Sequence, residues 1–273
     1  MKINNINLLI ALFTLTSFAL FSCGGNTKND DPNYIKVGVI AGPEYRVAQV
    51  AQKVAKEKHG LEVELVQFND YVMPNEALAQ GDIDVNAFQT IPFLEVQSKQ
   101  RGYKFAIVGK TFVYPLAGYS KKIKNLDELQ NGSTVIIPND APNGGRALLL
   151  LEQAGLITLE SGVGLLPTVN NIKENPKQLK ILELEAPQLP RALDDRNVTI
   201  AIINNTFATT IGLTAEQDGL FVETQDSPYV NVIVSREDNK NVQKVKTFVE
   251  AYQSPEVAKA AEEEFKGSAI VGW

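Results

Sequence analysis

The sequence is short of the residues on which most catalytic and metal chemistry depends. It holds one cysteine and one histidine in 273 residues. A single cysteine closes no internal disulfide, and one Cys with one His cannot build a zinc site from those ligands. A Ser-His-Asp triad would have to use His59. That residue follows Lys56, Glu57 and Lys58 at the end of a helical pattern, and it reads as a solvated helix-end residue favoured by the C-terminal dipole. No GxSxG, HExxH, CxxC or GxxxxGK[ST] motif occurs. Asp82 and Asp84 of the GDID segment share a strand face and could hold a cation, though a turn and strand-edge role is the simpler reading. Basic charge is scarce as well. There are 26 Lys and Arg against 32 Asp and Glu, a formal net charge of -6 and no basic run, which argues against nucleic-acid binding. The expectation is therefore a binding protein without catalysis, cofactor or metal.

Long apolar runs are also few. Leu8 to Leu20, rich in Leu, Phe and Ala, falls short of the roughly 20 apolar residues of a membrane-spanning helix. With Lys2 before it and Leu20-Phe21-Ser22-Cys23 at its end, it reads as a signal segment closing on a lipobox-like site. Residues 1–22 would be removed and Cys23 acylated, which places the only cysteine at the lipidation position. An ordinary signal peptide with a stray cysteine is the alternative, and Phe21 is bulky for the motif. Multiple acyl chains anchor stably where one holds marginally. The polar stretch GGNTKNDDPN that follows reads as a lipidated tether over residues 23–33.

What is present from Tyr34 onward is α/β patterning. Residues 35–40 read as a strand, Val47, Val50, Ala51 and Val54 recur at helical spacing, and Gly60 stops that helix. Alternation over residues 61–66 predicts a second strand, followed by a helix over 75–80 and a strand over 83–87. This βαβαβ start with short connections predicts a mainly parallel sheet. The same grammar returns with strands at 133–138, 179–184 and 199–204 and a Leu-rich helix over 145–154. A strand at 229–234 and helices over 240–252 and 256–265 complete the chain. Two α/β units imply two lobes around a cleft, the first built from residues 34–118 plus 227–273 and the second from 119–226. A single doubly wound domain is the alternative.

Open α/β sheets place ligands at strand ends and helix starts. Five segments meet that description: Asn69-Asp70-Tyr71, Asn86 to Gln89, Asn143 to Arg146, Asn204-Asn205-Thr206 and Tyr229-Val230-Asn231. Arg146 stands out. Gly144-Gly145 would let a ligand approach the backbone, the helix N-terminus would favour an anion, and an Arg beside it could hold a carboxylate through two parallel hydrogen bonds. A surface Arg in a first helical turn is the alternative.

The segments IKVGVIAGPE, FNDYVMPNEAL, GDIDVNAFQ, TFVYPLAGYSKKIKNLDELQNGS, PNDAPNGGRALLLL, ELEAPQLPRALDD and DSPYVNVIVSREDNK run in order along the chain. Together they resemble the NlpA-type lipoproteins, the methionine-binding members above all. The resemblance covers essentially the whole mature chain. It implies a two-lobed periplasmic-binding-protein fold and capture of methionine, or a close amino-acid analogue, for an ATP-driven importer with an inner-membrane permease and its ATPase. A monomer is expected. It further implies that Arg146 meets the ligand carboxylate, that Asn204 and Asn231 bind the amino and carboxylate ends, and that Tyr71 and Phe88 wall the side chain, with Asn143 beside them. The family pattern FQH, one residue, then PY is here Phe88-Gln89-Thr90-Ile91-Pro92-Phe93. Thr90 and Phe93 thus replace an imidazole and a phenol in the side-chain wall. An outer-membrane lipoprotein or surface antigen with an altered or lost site is the competing reading. In enteric-type sorting, Asp after the acylated Cys retains a lipoprotein in the inner membrane; Gly24 stands there instead. The expected location is a bacterial membrane with the domain facing the periplasm, and both membranes stay open.

Overall fold

The computed structural model describes residues 31–224 and 227–273. The signal segment, Cys23, Gly24 and most of the tether therefore lie outside the described residues. Among those described, no helix is long and apolar enough to cross a membrane.

The chain opens with strand β1 (Tyr34–Ile40), helix α1 (Pro43–His59), β2 (Glu62–Phe68), α2 (Met73–Gln80) and β3 (Val85–Thr90). Gly60, at φ 66, ends α1 in the left-handed region that glycine adopts without a Cβ clash. Helix α3 (Ile91–Arg101) and β4 (Phe105–Val113) follow. Then come β5 (Ala117–Tyr119), β6 (Thr134–Pro138), α4 (Ala141–Gln153), β7 (Thr158–Leu159), β8 (Ile172–Glu174) and β9 (Lys180–Leu184). The remainder is α5 (Leu189–Ala192), β10 (Val198–Ile203), α6 (Asn205–Thr210), α7 (Ala215–Asp218), β11 (Phe221–Val222), β12 (Val230–Arg236), α8 (Gln243–Tyr252), α9 (Pro255–Glu264) and β13 (Ile270–Val271).

The fold is mixed α/β with two main sheets. One has the order β13-β4-β12-β3-β1-β2 and the other β11-β5-β10-β6-β9. In the first, β1 is parallel to β2 and β3, while β12 runs antiparallel between β3 and β4. In the second, β6 is parallel to β9 and β10, and β5 and β11 form an antiparallel edge. The parallel strands are apolar on both faces, as in β1 and β10, because helices cover both sides. Each sheet has its own core. Val47, Ala51 and Val54 of α1 pack with Phe248 and Tyr252 of α8 against the first. Leu148 and Leu151 of α4 pack against Val135, Ile137 and Ile200 of the second.

Two predicted features need correction. Periodicity marks neither strand β4 nor helix α3, because β4 carries Gly109 and Lys110 within its run and α3 (IPFLEVQSKQR) has almost no apolar stripe. Helix α4 begins at Ala141, four residues before the predicted start, so Arg146 lies in its second turn. Asp84 is an internal strut. Its carboxylate pairs with the ammonium of Lys244 at 3.0 Å and accepts from the Lys36 amide at 2.9 Å.

Candidate functional site

A cavity lies between the two sheets. Its lining includes all eight predicted binding residues: Tyr71, Phe88, Thr90, Phe93, Asn143, Arg146, Asn204 and Asn231. Glu44, Gln89, Tyr114, Asn205 and Thr206 complete it.

One wall is aromatic. Tyr71 follows β2 in a turn held by Asp70, whose Oδ1 accepts from the amides of Val72 (2.7 Å) and Met73 (2.9 Å). Its ring stacks on Phe88 with centroids 5.9 Å apart and meets Phe93 edge-on at 6.0 Å. Phe88 and Phe93 are themselves edge-to-face at 6.0 Å. Phe207 of α6 reaches Tyr71 at 5.1 Å from the second sheet's side. Such offset and T-shaped pairs match the ring quadrupoles and hold the wall's shape. Behind it, Asn75, Asn86 and Gln89 form a buried amide cluster. Asn75 and Gln89 exchange hydrogen bonds at 2.9 and 2.8 Å, and Asn86 donates to Asn75 at 3.0 Å. Buried amides cost free energy unless paired, so the cluster ties α2 rigidly to β3. Thr90 is the N-cap of α3, and its Oγ1 accepts from the Phe93 amide at 3.4 Å. Its hydroxyl is thus used by the helix, which is a physical reason for a Thr at this position.

The opposite wall is polar. Asp140 caps α4, with Oδ1 accepting from the amide and the Nδ2 of Asn143 at 3.0 and 2.8 Å. Burial raises the Asp140 pKa against these hydrogen bonds. The helix N-terminus proposed for an anionic ligand is therefore occupied by the chain's own carboxyl group. The glycine pair also serves the chain itself. A Cβ at Gly144 would meet the Pro138 carbonyl oxygen at 2.8 Å, and one at Gly145 the Leu165 carbonyl oxygen at 2.9 Å. What approaches closely there is backbone rather than ligand.

Arg146 is 4% exposed. Its Nε donates to Glu223 Oε1 at 2.9 Å, its Nη2 donates to Glu223 Oε2 and to the Tyr114 carbonyl (2.9 Å), and the guanidinium lies 4.4 Å over the Tyr229 ring. One edge of the fork is thus bound inside the protein, and among the described residues Nη1 has no hydrogen-bond partner. Asn204 occupies the N-cap of α6 but caps nothing. Its Nδ2 donates to Asn143 Oδ1 at 2.8 Å, while its buried Oδ1 has no donor. Asn205 presents the converse, a buried Nδ2 with no acceptor. Asn231 sits on β12 opposite Thr90. With its Nδ2 turned to β3 it donates to the carbonyls of Phe88 (2.9 Å) and Gln89 (3.2 Å), which leaves Oδ1 as an acceptor. Buried polar atoms without partners are rare in native proteins and ask for a reason. Asn204 Oδ1 and Asn205 Nδ2 lie on one cavity, an acceptor and a donor together.

Glu44, Tyr114 and Glu223 escaped the sequence reading. Glu44 opens α1 just beyond the end of β1, the same strand-end rule that selected the other segments. Glu223 had no such signal, because its partner Arg146 is 77 residues away.

The NlpA lipoprotein family matches residues 35–273. The D-methionine-binding lipoprotein MetQ of Salmonella typhimurium is 65% identical over 257 residues, 94% of this chain and 94% of that protein. Among solved structures, a nutrient binding protein from Burkholderia cenocepacia bound to methionine superposes with a TM-score of 0.85 at 49% identity, covering 88% of this chain and 100% of that one. An ABC transporter periplasmic substrate-binding protein from Coxiella burnetii gives 0.84 at 47%, covering 87% and 100%. The two-sheet architecture with its intervening cavity is that of periplasmic substrate-binding proteins, and the chain belongs to the NlpA lipoprotein family.

Proposed function

We propose that this protein is the lipid-anchored substrate-binding protein of an ABC-type importer and that its cavity captures methionine. The observation that carries this reading is the division of the cavity. Rings of Tyr71, Phe88 and Phe93 face one side, with Asn231 of β12 beside them, while Arg146, Asn204 and Asn205 lie on the other, Asn204 Oδ1 and Asn205 Nδ2 both buried without partners. A zwitterionic amino acid with an apolar side chain fits that division. Its carboxylate takes Arg146 Nη1 and Asn205 Nδ2, and its ammonium donates to the acceptors of Asn204 and Asn231. A thioether against aromatic rings contributes about 0.3–1.5 kcal/mol per contact. Asn143 and Glu223 position Asn204 and Arg146. Relatives named for methionine binding and for ABC transport support the same assignment. A lining that keeps a buried donor and a buried acceptor without partners beside an aromatic wall disfavours a degenerate site.

On this reading residues 34–118 plus 227–273 form one lobe and residues 119–226 the other. It places the lipid on Cys23. Gly24 lacks the inner-membrane retention residue of enteric-type sorting, whereas delivery to a permease favours the inner membrane; gradient fractionation of cell envelopes separates the two. The ligand assignment is tested by calorimetry of the stripped protein with methionine and by mass spectrometry of ligand carried through native purification. Absence of methionine from both measurements overturns it.

A further inference from the structure

Glu44 has no place in the division just described. It is the second residue of α1 and 3% exposed, and its carboxyl group lines the cavity. Its one hydrogen bond comes from the Thr206 hydroxyl, donated across from α6, which packs with the other sheet. Among the described residues, no Lys or Arg forms an ion pair with it. The titratable groups around it are phenols: Tyr71 after β2, Tyr114 after β4 and Tyr252 of α8, each with its pKa raised by burial and so neutral. On its own helix, Tyr45 packs on the core and Arg46 pairs with Glu264 at the surface. Among the described residues the lining holds one cation, Arg146, already matched by Glu223. Two buried carboxyl groups here have no cationic partner: Asp140 in the polar wall, held by Asn143 with its pKa raised by burial, and Glu44.

A buried carboxyl group in this position has two states. Without a cation it keeps its proton, since desolvation penalises the charged form; burial pushes its pKa up to about 8 against the opposing pull of the Thr206 hydrogen bond. With a cation beside it, the carboxylate form is favoured and the proton leaves. A zwitterionic ligand brings an ammonium and a carboxylate; the carboxylate takes Arg146 Nη1 and Asn205 Nδ2, while Asn204 Oδ1 and Asn231 Oδ1 accept hydrogen bonds from the ammonium but carry no charge to match it.

We propose that Glu44 is the charge partner of the ligand's ammonium group, and that capture of the ligand releases the Glu44 proton to solvent. The step is a proton transfer alone. The Glu44 O–H bond breaks, water takes the proton, and the carboxylate accepts an N–H of the ammonium while keeping its bond from Thr206. That bond joins α1, which packs on the first sheet, to α6, so the charge pair forms where the two sheets face each other. This assignment rests on the amino-acid reading of the site and extends it to proton-coupled affinity.

The experiment is calorimetry of the full-length lipoprotein in detergent, in buffers of different ionisation enthalpy, between pH 6 and 8.5. Methionine and 4-(methylsulfanyl)butanoate, the same molecule without its amino group, are the two probes. The wild type should release close to one proton per methionine near pH 6.5, and its affinity should rise almost tenfold per pH unit up to about pH 8. Glu44→Gln should bind methionine at least tenfold more weakly at pH 8 with no pH slope, and bind the deaminated probe as well as the wild type does. Thr206→Val keeps the carboxyl group but removes the hydrogen bond that lowers its pKa, so its slope should extend to higher pH; this variant carries the test if Glu44→Gln does not fold. A wild type that binds methionine without proton release and without a pH slope overturns the role of Glu44 and leaves the methionine reading standing. A wild type that binds no methionine at any of these pH values overturns both.

Discussion

The two walls of the cavity are built on different principles. The wall carried by β2, β3 and α3 is satisfied by its own contacts. Its rings contact one another at 5.9–6.0 Å, and the Asn75, Asn86 and Gln89 amides behind them satisfy one another. The wall carried by α4 and the β10–α6 junction is unfinished, with Asn204 Oδ1 and Asn205 Nδ2 buried and unpaired. A preformed apolar wall selects side chains by shape, with little to gain or lose from reorganisation. An unfinished polar wall gains its missing hydrogen bonds only when the correct backbone groups are supplied, and it penalises a ligand that lacks them. Substitutions on the first wall should therefore change which amino acid is bound. Those on the second should weaken all amino acids alike.

Arg146→Ala should have the largest effect. It removes the Nη1 donor and also strands Glu223, whose carboxylate is 10% exposed. A charge-assisted bond contributes about 1.5–3 kcal/mol, roughly 10- to 150-fold in affinity. Breaking a buried pair costs about 3–5 kcal/mol of stability. We expect methionine and other amino acids to lose affinity together, with a large fall in melting temperature. Thermal denaturation and calorimetry on the same preparation check both. A destabilised protein that still binds at wild-type affinity would mean that Arg146 serves only Glu223.

Phe88→Ala should come next and should break the symmetry between ligands. Losing the contact of even two methylene equivalents, at about 0.8 kcal/mol each, weakens methionine binding roughly tenfold. Alanine, which does not reach the rings, should be nearly unaffected. Competition binding of methionine against alanine reads the ratio; an equal loss for both would place Phe88 outside the side-chain wall.

Much of this division was legible in the sequence. Asn204, Asn231 and Arg146 stand beside strand ends and helix starts, where period and turn residues mark them, and the aromatic positions follow β2 and β3 in the same way. What was not legible depends on long-range pairing. Occupation of the Arg146 fork by Glu223, the cross-sheet bond of Glu44 with Thr206 and the packing of Gly144 and Gly145 on other backbone have no local signature. Strand β4 has no periodic signature because Gly109 and Lys110 interrupt its run, and its place between β12 and β13 comes from pairing with them.

The ligand-free protein should also report on Glu44 through its stability. Its folded-state pKa, about 8, lies above the ordinary value of 4.5. The folded state therefore holds more protons than the unfolded state between those values, and the contribution is fully present below pH 4.5. It declines as pH rises through the window and is lost above about pH 8. Melting temperature of the stripped protein should fall across that range by several degrees, at about 2–4 °C per kcal/mol for a domain of this size. In Glu44→Gln that component should vanish; an identical pH dependence in the two proteins would assign the effect elsewhere.

The smallest effect tests the preformed wall where it departs from the family pattern. Thr90 caps α3 through a long hydrogen bond of 3.4 Å, and Phe93 is 3% exposed in the ring cluster. Thr90→Ser keeps the cap and should change stability by less than about 0.5 kcal/mol. Thr90→His removes the cap, at a cost near the low end of roughly 0.5–2 kcal/mol, and adds ring surface to the wall. Phe93→Tyr adds a hydroxyl in the same place. The pair of substitutions should therefore lower the melting temperature slightly while strengthening methionine binding by up to about tenfold, the equivalent of one or two buried methylenes. Calorimetry with methionine on the double variant decides the point. If it binds methionine more weakly than the wild type, the wall with Thr90 and Phe93 is shaped for a different side chain, and the polar wall alone remains as evidence for an amino acid.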